Sequence, residues 1–115
     1  MPLKGSCHCG RIAFSLDADP KEAIECNCSH CQRKGYLLAF LPREALTLET
    51  PEADLETYRF NHHVIAHHFC AVCGCAPFAD GRGKEGQDTA AVNLRCIEGI
   101  DLGTIKRMPF DGRSK

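Results

Sequence analysis

The chain has 115 residues, enough for one domain with a modest core, and no apolar run in it approaches the ~20 residues of a membrane span. Its 14 basic and 15 acidic residues nearly cancel, which excludes a polybasic nucleic-acid footprint and a polybasic membrane anchor. The nine cysteines are odd in number and crowd into C-x-C and C-x-x-C clusters, and no signal-peptide apolar region precedes Cys7. A secreted disulfide framework is therefore the weaker reading, and metal binding in the cytoplasm the stronger.

Gly5-Ser6-Cys7-His8-Cys9-Gly10 opens the domain, with flanking glycines expected to let the backbone turn and bring two sulfurs toward one ion. Arg11 to Leu16 alternates, with Ile12, Phe14 and Leu16 on one face of a half-buried strand. Asp17-Ala18-Asp19-Pro20 is a turn. Ala23 to Cys26 reads as a short strand feeding Cys26-Asn27-Cys28-Ser29-His30-Cys31, three thiols in six residues. A helical turn follows, with Ser29 as candidate N-cap and Gly35 as its stop. Tyr36 to Leu41 is a continuous apolar run, taken as a buried central strand.

Ala45 to Glu49 and Leu55 to Phe60 alternate as further strands, Asn61-His62-His63 is a hairpin turn, and Val64 to Phe69 returns as a strand into Cys70. Cys70-Ala71-Val72-Cys73-Gly74 is a metal knuckle, and Cys75 to Ala79 leads out of it. Gly81 to Gly86 reads as a mobile loop, Thr89 to Cys96 as a late strand, and Gly99 to Lys115 as coil. Seven or so short strands between frequent turns predict a mainly β domain.

The thiol spacing favours two zinc sites. Cys7, Cys9, Cys70 and Cys73 make a complete four-thiolate set, closed and dianionic, that would tie the N-terminal hairpin to the later knuckle. Pairing Cys7 and Cys9 with two of Cys26, Cys28 and Cys31 is the alternative, and spacing alone leaves both open. The first pairing leaves the Cys26/Cys28/Cys31 loop with three thiolates and one open coordination position, which water or a substrate thiol can enter. A second closed site, completed by His30 or another histidine, is the competing reading. Cys75 and Cys96 are expected as small buried hydrophobes. His67 and His68 lie in a strand, so at most one of them faces a site. His8, His62 and His63 read as surface histidines, and Arg33 and Lys34 as a solvated pair able to hold substrate carboxylates.

Four ordered segments together resemble the GFA family, proteins similar to glutathione-dependent formaldehyde-activating enzyme and related to the centromere protein V domain. They are Gly5 to Gly10, Cys26 to Arg33, Phe69 to Gly74, and Asn93-Leu94-Arg95-Cys96 ahead of Gly99-Ile100-Asp101. The resemblance covers about residues 3 to 111 as one domain, with 112–115 as a tail. It implies a β-tent fold of short antiparallel sheets stapled by zinc. It also implies a structural zinc on Cys7, Cys9, Cys70 and Cys73 and a second, catalytic zinc on Cys26, Cys28 and Cys31. The implied reaction joins formaldehyde to glutathione as a carbon–sulfur lyase, with a small-molecule thiol and an aldehyde as partners.

On that reading the catalytic residues are Cys26, Cys28, Cys31 and His30, the last as proton donor to a developing alkoxide. Arg33 and Lys34 would orient the substrate's carboxylates. Two other classes stay open: a zinc-held binding module without catalysis, and a thiol redox enzyme using Cys96 or Cys75.

Overall fold

The structure, a computed structural model, describes residues 3–26, 29–51, 55–58, 65–82 and 87–110. Ten strands and one short helix alternate through it: β1 (Leu3–Ser6), β2 (Ala13–Leu16), β3 (Glu22–Cys26), α1 (Ser29–Lys34), β4 (Leu38–Pro42), β5 (Leu46–Leu48), β6 (Leu55–Tyr58), β7 (Ala66–Cys70), β8 (Phe78–Arg82), β9 (Asp88–Asn93) and β10 (Lys106–Phe110). They form a three-stranded sheet, β1-β2-β5, and a seven-stranded sheet, β10-β3-β4-β9-β8-β7-β6. Every pairing is antiparallel except β10 on β3. The fold is mainly β with antiparallel sheets, as the alternating segments predict.

Strand side chains alternate between faces, and here that alternation separates two apolar clusters. Ala39, Phe78, Ala90 and Val92 face the three-stranded sheet and pack with Ile12, Phe14 and Leu16, all three fully buried. Their neighbours Leu38, Ala79 and Ala91 belong to a second cluster on the opposite face, with Cys31, Tyr36 and the partly buried Cys26 and Phe69. The run from Tyr36 to Leu41 is central as expected, between β3 and β9, but Phe40 is 53% exposed on that second face.

Three strands lie where coil was expected. β1 precedes the first cysteines and pairs with β2 from Leu3↔Leu16 to Ser6↔Ala13. Gly5 sits opposite Phe14 in that ladder, and a Cβ there would come 2.4 Å from Phe14 Cζ. Gly5 is therefore there to admit a ring. The turn belongs to Gly10 alone of the two, with φ +85°. β8 takes Gly81 and Arg82 out of the expected mobile loop: β7 pairs only Phe78 to Asp80, but the ladder to β9 continues through Gly81↔Thr89 and Arg82↔Asp88 and outweighs the poor strand composition. Residues 83–86 of that loop lie outside the described residues. β10 is exposed at every position and carries Pro109, so only its pairing with the edge of β3 makes it a strand. The late strand ends at Asn93, and Leu94–Cys96 is a 3-10 turn.

Candidate functional site

Two knuckles bring four sulfurs together. In the first, the Cys7 N–H donates to the Ile12 carbonyl at 3.0 Å and the Gly10 N–H to the Cys7 carbonyl at 3.3 Å. In the second, the Gly74 N–H donates to the Cys70 carbonyl at 2.9 Å, with Gly74 at φ +81°. The sulfurs of Cys7, Cys9, Cys70 and Cys73 all lie within 4.8 Å of one another, with Cys7–Cys9 at 3.7 Å and Cys9–Cys70 at 3.6 Å. A zinc tetrahedron with Zn–S bonds of ~2.3 Å has edges of about 3.8 Å. The four residues therefore fit a metal ion. The pairing with the knuckle at Cys70 is the one the fold assembles.

The backbone prepares these thiols for the ion. Cys7 Sγ accepts from the Ile12 N–H at 3.3 Å, and Cys70 Sγ from the N–H groups of Val72 and Cys73 at 3.4 and 3.5 Å. The Cys75 N–H, then that of Cys9, hold the Cys73 thiol down to about 5. The Cys73 N–H likewise lowers Cys70. Cys9 goes the other way: although the Arg11 N–H lowers it, the Cys70 and Cys7 sulfurs and burial push it up to about 11. Four thiolates this close need a cation among them to ionise together.

The Asn93-Leu94-Arg95-Cys96 segment stitches this region to the rest. Asn93 Nδ2 donates to the Ala76 carbonyl at 3.1 Å, and its Oδ1 accepts from the Arg95 N–H at 3.2 Å. Arg95 Nε donates to the Gly35 carbonyl at 2.9 Å, just past α1. Cys75 packs against the main core. Burial, then the nearby Cys75, Cys7 and Cys73 thiols, push Cys96 up to about 11. A thiol raised in this way is mostly protonated at neutral pH, which disfavours it as a nucleophile.

Helix α1 ends at Gly35, whose φ of +70° closes it with an N–H to the Cys31 carbonyl at 2.9 Å. His30 and Lys34 are four positions apart in the helix, which places both on one face, and both line a cavity of about 310 Å³ with Tyr36, Tyr58 and His67. Arg33 is exposed and outside that wall. Cys26 and Cys31 line a larger cavity, about 760 Å³, on the second face of the seven-stranded sheet. Tyr36 and His67 belong to both walls. Cys28, His62 and His63 lie outside the described residues.

His67 is the residue that reasoning from sequence undervalued. It is 7% exposed, and its ring lies 4.5 Å from that of His30, edge to face, and stacks at 6.4 Å on Tyr36. Burial, then the neighbouring His30 and His68, push it down to about 4. Burial, then the Lys34 charge, also lower His30. The period of two was the available signal, because it requires His67 and His68 to face opposite sides. His68 accordingly faces Asp80, Nε2 to Oδ2 at 2.9 Å, while Thr57 Oγ1 sits 3.0 Å from its Nδ1. Tyr36 and Tyr58 carried no such signal: both read as ordinary strand aromatics. His8 is exposed between its two cysteine neighbours.

The family model described as glutathione-dependent formaldehyde-activating enzyme, GFA, matches residues 2–106. The crystal structure of a Rhodobacter sphaeroides protein, a structural-genomics target, is similar at 27% identity and a TM-score of 0.76, over 91% of this chain and 99% of that one.

Proposed function

The chain belongs to the GFA family, and on that footing we propose that it is a zinc-dependent carbon–sulfur lyase joining a small thiol to an aldehyde. The observation that carries the reading is the division of the cysteines between two faces. Cys7, Cys9, Cys70 and Cys73 cluster at one place, whereas Cys26 and Cys31 line a cavity large enough for substrates. The first set would hold a structural zinc. The second, with Cys28, would hold another, which supplies an open position where a thiol is kept as thiolate. A reducing, cytoplasmic setting would keep these thiols available to metal.

The remaining work falls to side chains. Attack of sulfur on the carbonyl carbon forms the S–C bond, and the carbonyl π pair becomes an alkoxide that needs a proton. His30 would relay it: burial and Lys34 favour its neutral ring, whose free nitrogen takes the thiol's proton, and the resulting imidazolium passes that proton to the alkoxide. His67, neutral as well, holds the His30 ring edge-on from the sheet side. Lys34 on the wall of the smaller cavity would orient a carboxylate of the thiol. Excluding water from the buried His67 and Tyr36 walls strengthens each of these contacts.

A panel of glutathione and other thiols with aldehydes tests the reading, with adduct exchange followed by NMR. Cys28→Ser should stay folded with one zinc and lose activity, whereas Cys73→Ser should fail to fold. One zinc per wild-type chain, or the same folding outcome for both variants, counts against separate structural and chemical sites. Two zinc ions with no acceleration for any pair would make the protein a binding module.

A further inference from the structure

Formaldehyde has a single carbon and fills little more than a water's share of ~30 Å³; the cavity that Cys26 and Cys31 line is about 760 Å³. Glutathione does not explain the difference, because it is a zwitterion with two carboxylates, and this wall is mostly apolar, with Ile24, Leu38, Phe40, Ala79, Ala91 and Phe110 along it and Asp80, Arg82, Gln87 and Thr89 as its polar minority. The cation on the wall shared with His30 is Lys34, in the smaller cavity, whereas Arg82 lies at the far end of the large one, away from Cys26 and Cys31.

The depth of the large cavity comes from small residues in register. Phe40 pairs Ala91, Ala91 pairs Ala79, and Ala79 pairs His67, so two methyl groups form the floor of four adjacent strands. One step along, Pro42 and Gly81 both pair Thr89. The thiol end lies by Leu38, which pairs Ile24 two residues before Cys26. From Leu38 to Pro42 the strand advances about 13 Å, and the far end turns polar with Thr89, Gln87 and Arg82. An extended chain of about ten carbons spans that length.

We propose that the large cavity takes the apolar chain of a medium-length aldehyde, about eight to ten carbons, with its carbonyl at the Cys26/Cys31 end. The inference rests on the thiol–aldehyde reading above and names its electrophile. The thiol S–H adds across the C=O: the S–C bond forms and the thiol's proton ends on the former carbonyl oxygen. The polar thiol approaches from the smaller cavity, across the shared wall of Tyr36 and His67.

The test is an aldehyde series with glutathione: formaldehyde, butanal, octanal and decanal, each scored as kcat/KM by exchange NMR on the zinc-loaded protein. Each buried methylene should raise kcat/KM about fourfold, on the order of a hundredfold from butanal to octanal. Gly81→Leu should move the optimum to shorter chains. Among the described residues a Cβ at Gly81 meets Ile65 alone, at 3.5 Å, and the φ there is not in the left-handed region, so the backbone admits a side chain. Phe40→Ser, at an exposed wall position, should flatten the series. Wild type turning over formaldehyde faster than octanal, with Gly81→Leu unchanged, overturns the proposal and leaves the thiol–aldehyde reading standing. No acceleration for any aldehyde overturns that reading, and binding of unreactive 1-nonanol then decides the cavity. Saturable binding weakened by Gly81→Leu supports an apolar chain as occupant; no binding overturns it. A concentration-dependent dimer that excludes nonanol assigns the face to a second copy and overturns it too.

Discussion

The imidazoles of His30 and His67 meet edge to face, 4.5 Å between centroids, one from helix α1 and one from the middle of β7. Both are lowered by burial, and His67 is further lowered by His30 itself. Two imidazolium ions would repel at that distance, so the pair works neutral. Either ring can then donate one hydrogen bond and accept another without placing a charge in the wall.

That pair makes stability pH-dependent. His67 titrates at 6.5 unfolded and about 4 folded. As pH falls, the unfolded chain takes the proton first, so its stabilisation is complete above pH ~7, declines between about 6.5 and 4, and is then exhausted. The loss from pH ~7 to ~5 is roughly 2 kcal/mol. Urea unfolding at a series of pH values should show this slope in wild type and a shallower one in His67→Gln. Equal slopes would place the acid sensitivity elsewhere.

Gly5→Ala should be costly for a reason unrelated to backbone freedom. The new methyl would fall 2.4 Å from Phe14 Cζ, and Phe14 is fully buried. Overpacking of this kind costs roughly 1–3 kcal/mol. Denaturant midpoints of wild type and variant measure it, and Gly5→Ala with Phe14→Leu should recover part of the loss.

Removing metal should unfold the protein. Apparent zinc binding in finger peptides is roughly 10–16 kcal/mol, against ~5–15 kcal/mol for the stability of a whole domain. The knuckles at Cys7 and Cys70 follow strands of different sheets, so an ion shared by them would hold the sheets together. A strong chelator should abolish the far-UV circular dichroism of the strands, and zinc should restore it. Cobalt in place of zinc should give a thiolate charge-transfer band that Cys9→Ser weakens. A chelated protein with unchanged strands would show that the core suffices.

Asp80 binds Arg43 Nε at 2.8 Å and His68 Nε2 at 2.9 Å, joining β8 to β7 and to the turn after β4. Burial raises this carboxyl, but the His68 bond and the Arg43 charge outweigh it and hold the group below 3.8. Its contribution is therefore present above pH ~4 and lost as pH falls through the lower folded value. Asp80→Asn should cost about 1–2 kcal/mol near neutrality and little in strong acid. Paired denaturation curves at the two extremes check this, and an equal cost at both would rule out the charge as the cause.

The cysteine spacing and the period of two in β2, β5, β6 and β7 were legible without a structure, because ligand geometry and strand pleat are local. The family followed from the order of the four motifs. β1, β8 and β10 were not legible. β8 contains a glycine and two charges, and β10 has no buried position, so each is a strand only because a neighbour offers a ladder.

The chain by itself determined where its thiols cluster, in ligand-like C-x-C and C-x-x-C spacings, and that the side chains of His67 and His68 leave their strand on opposite faces. Which cysteines meet was a tertiary decision: Cys7 and Cys70 lie 63 positions apart, and only the packing of two sheets closes that distance. The cavity beside Cys26 and Cys31 was also decided there. Its floor is made of Ala79, Gly81 and Ala91, residues that announce nothing in a sequence because their contribution is the volume they leave empty once strands distant in the chain lie side by side.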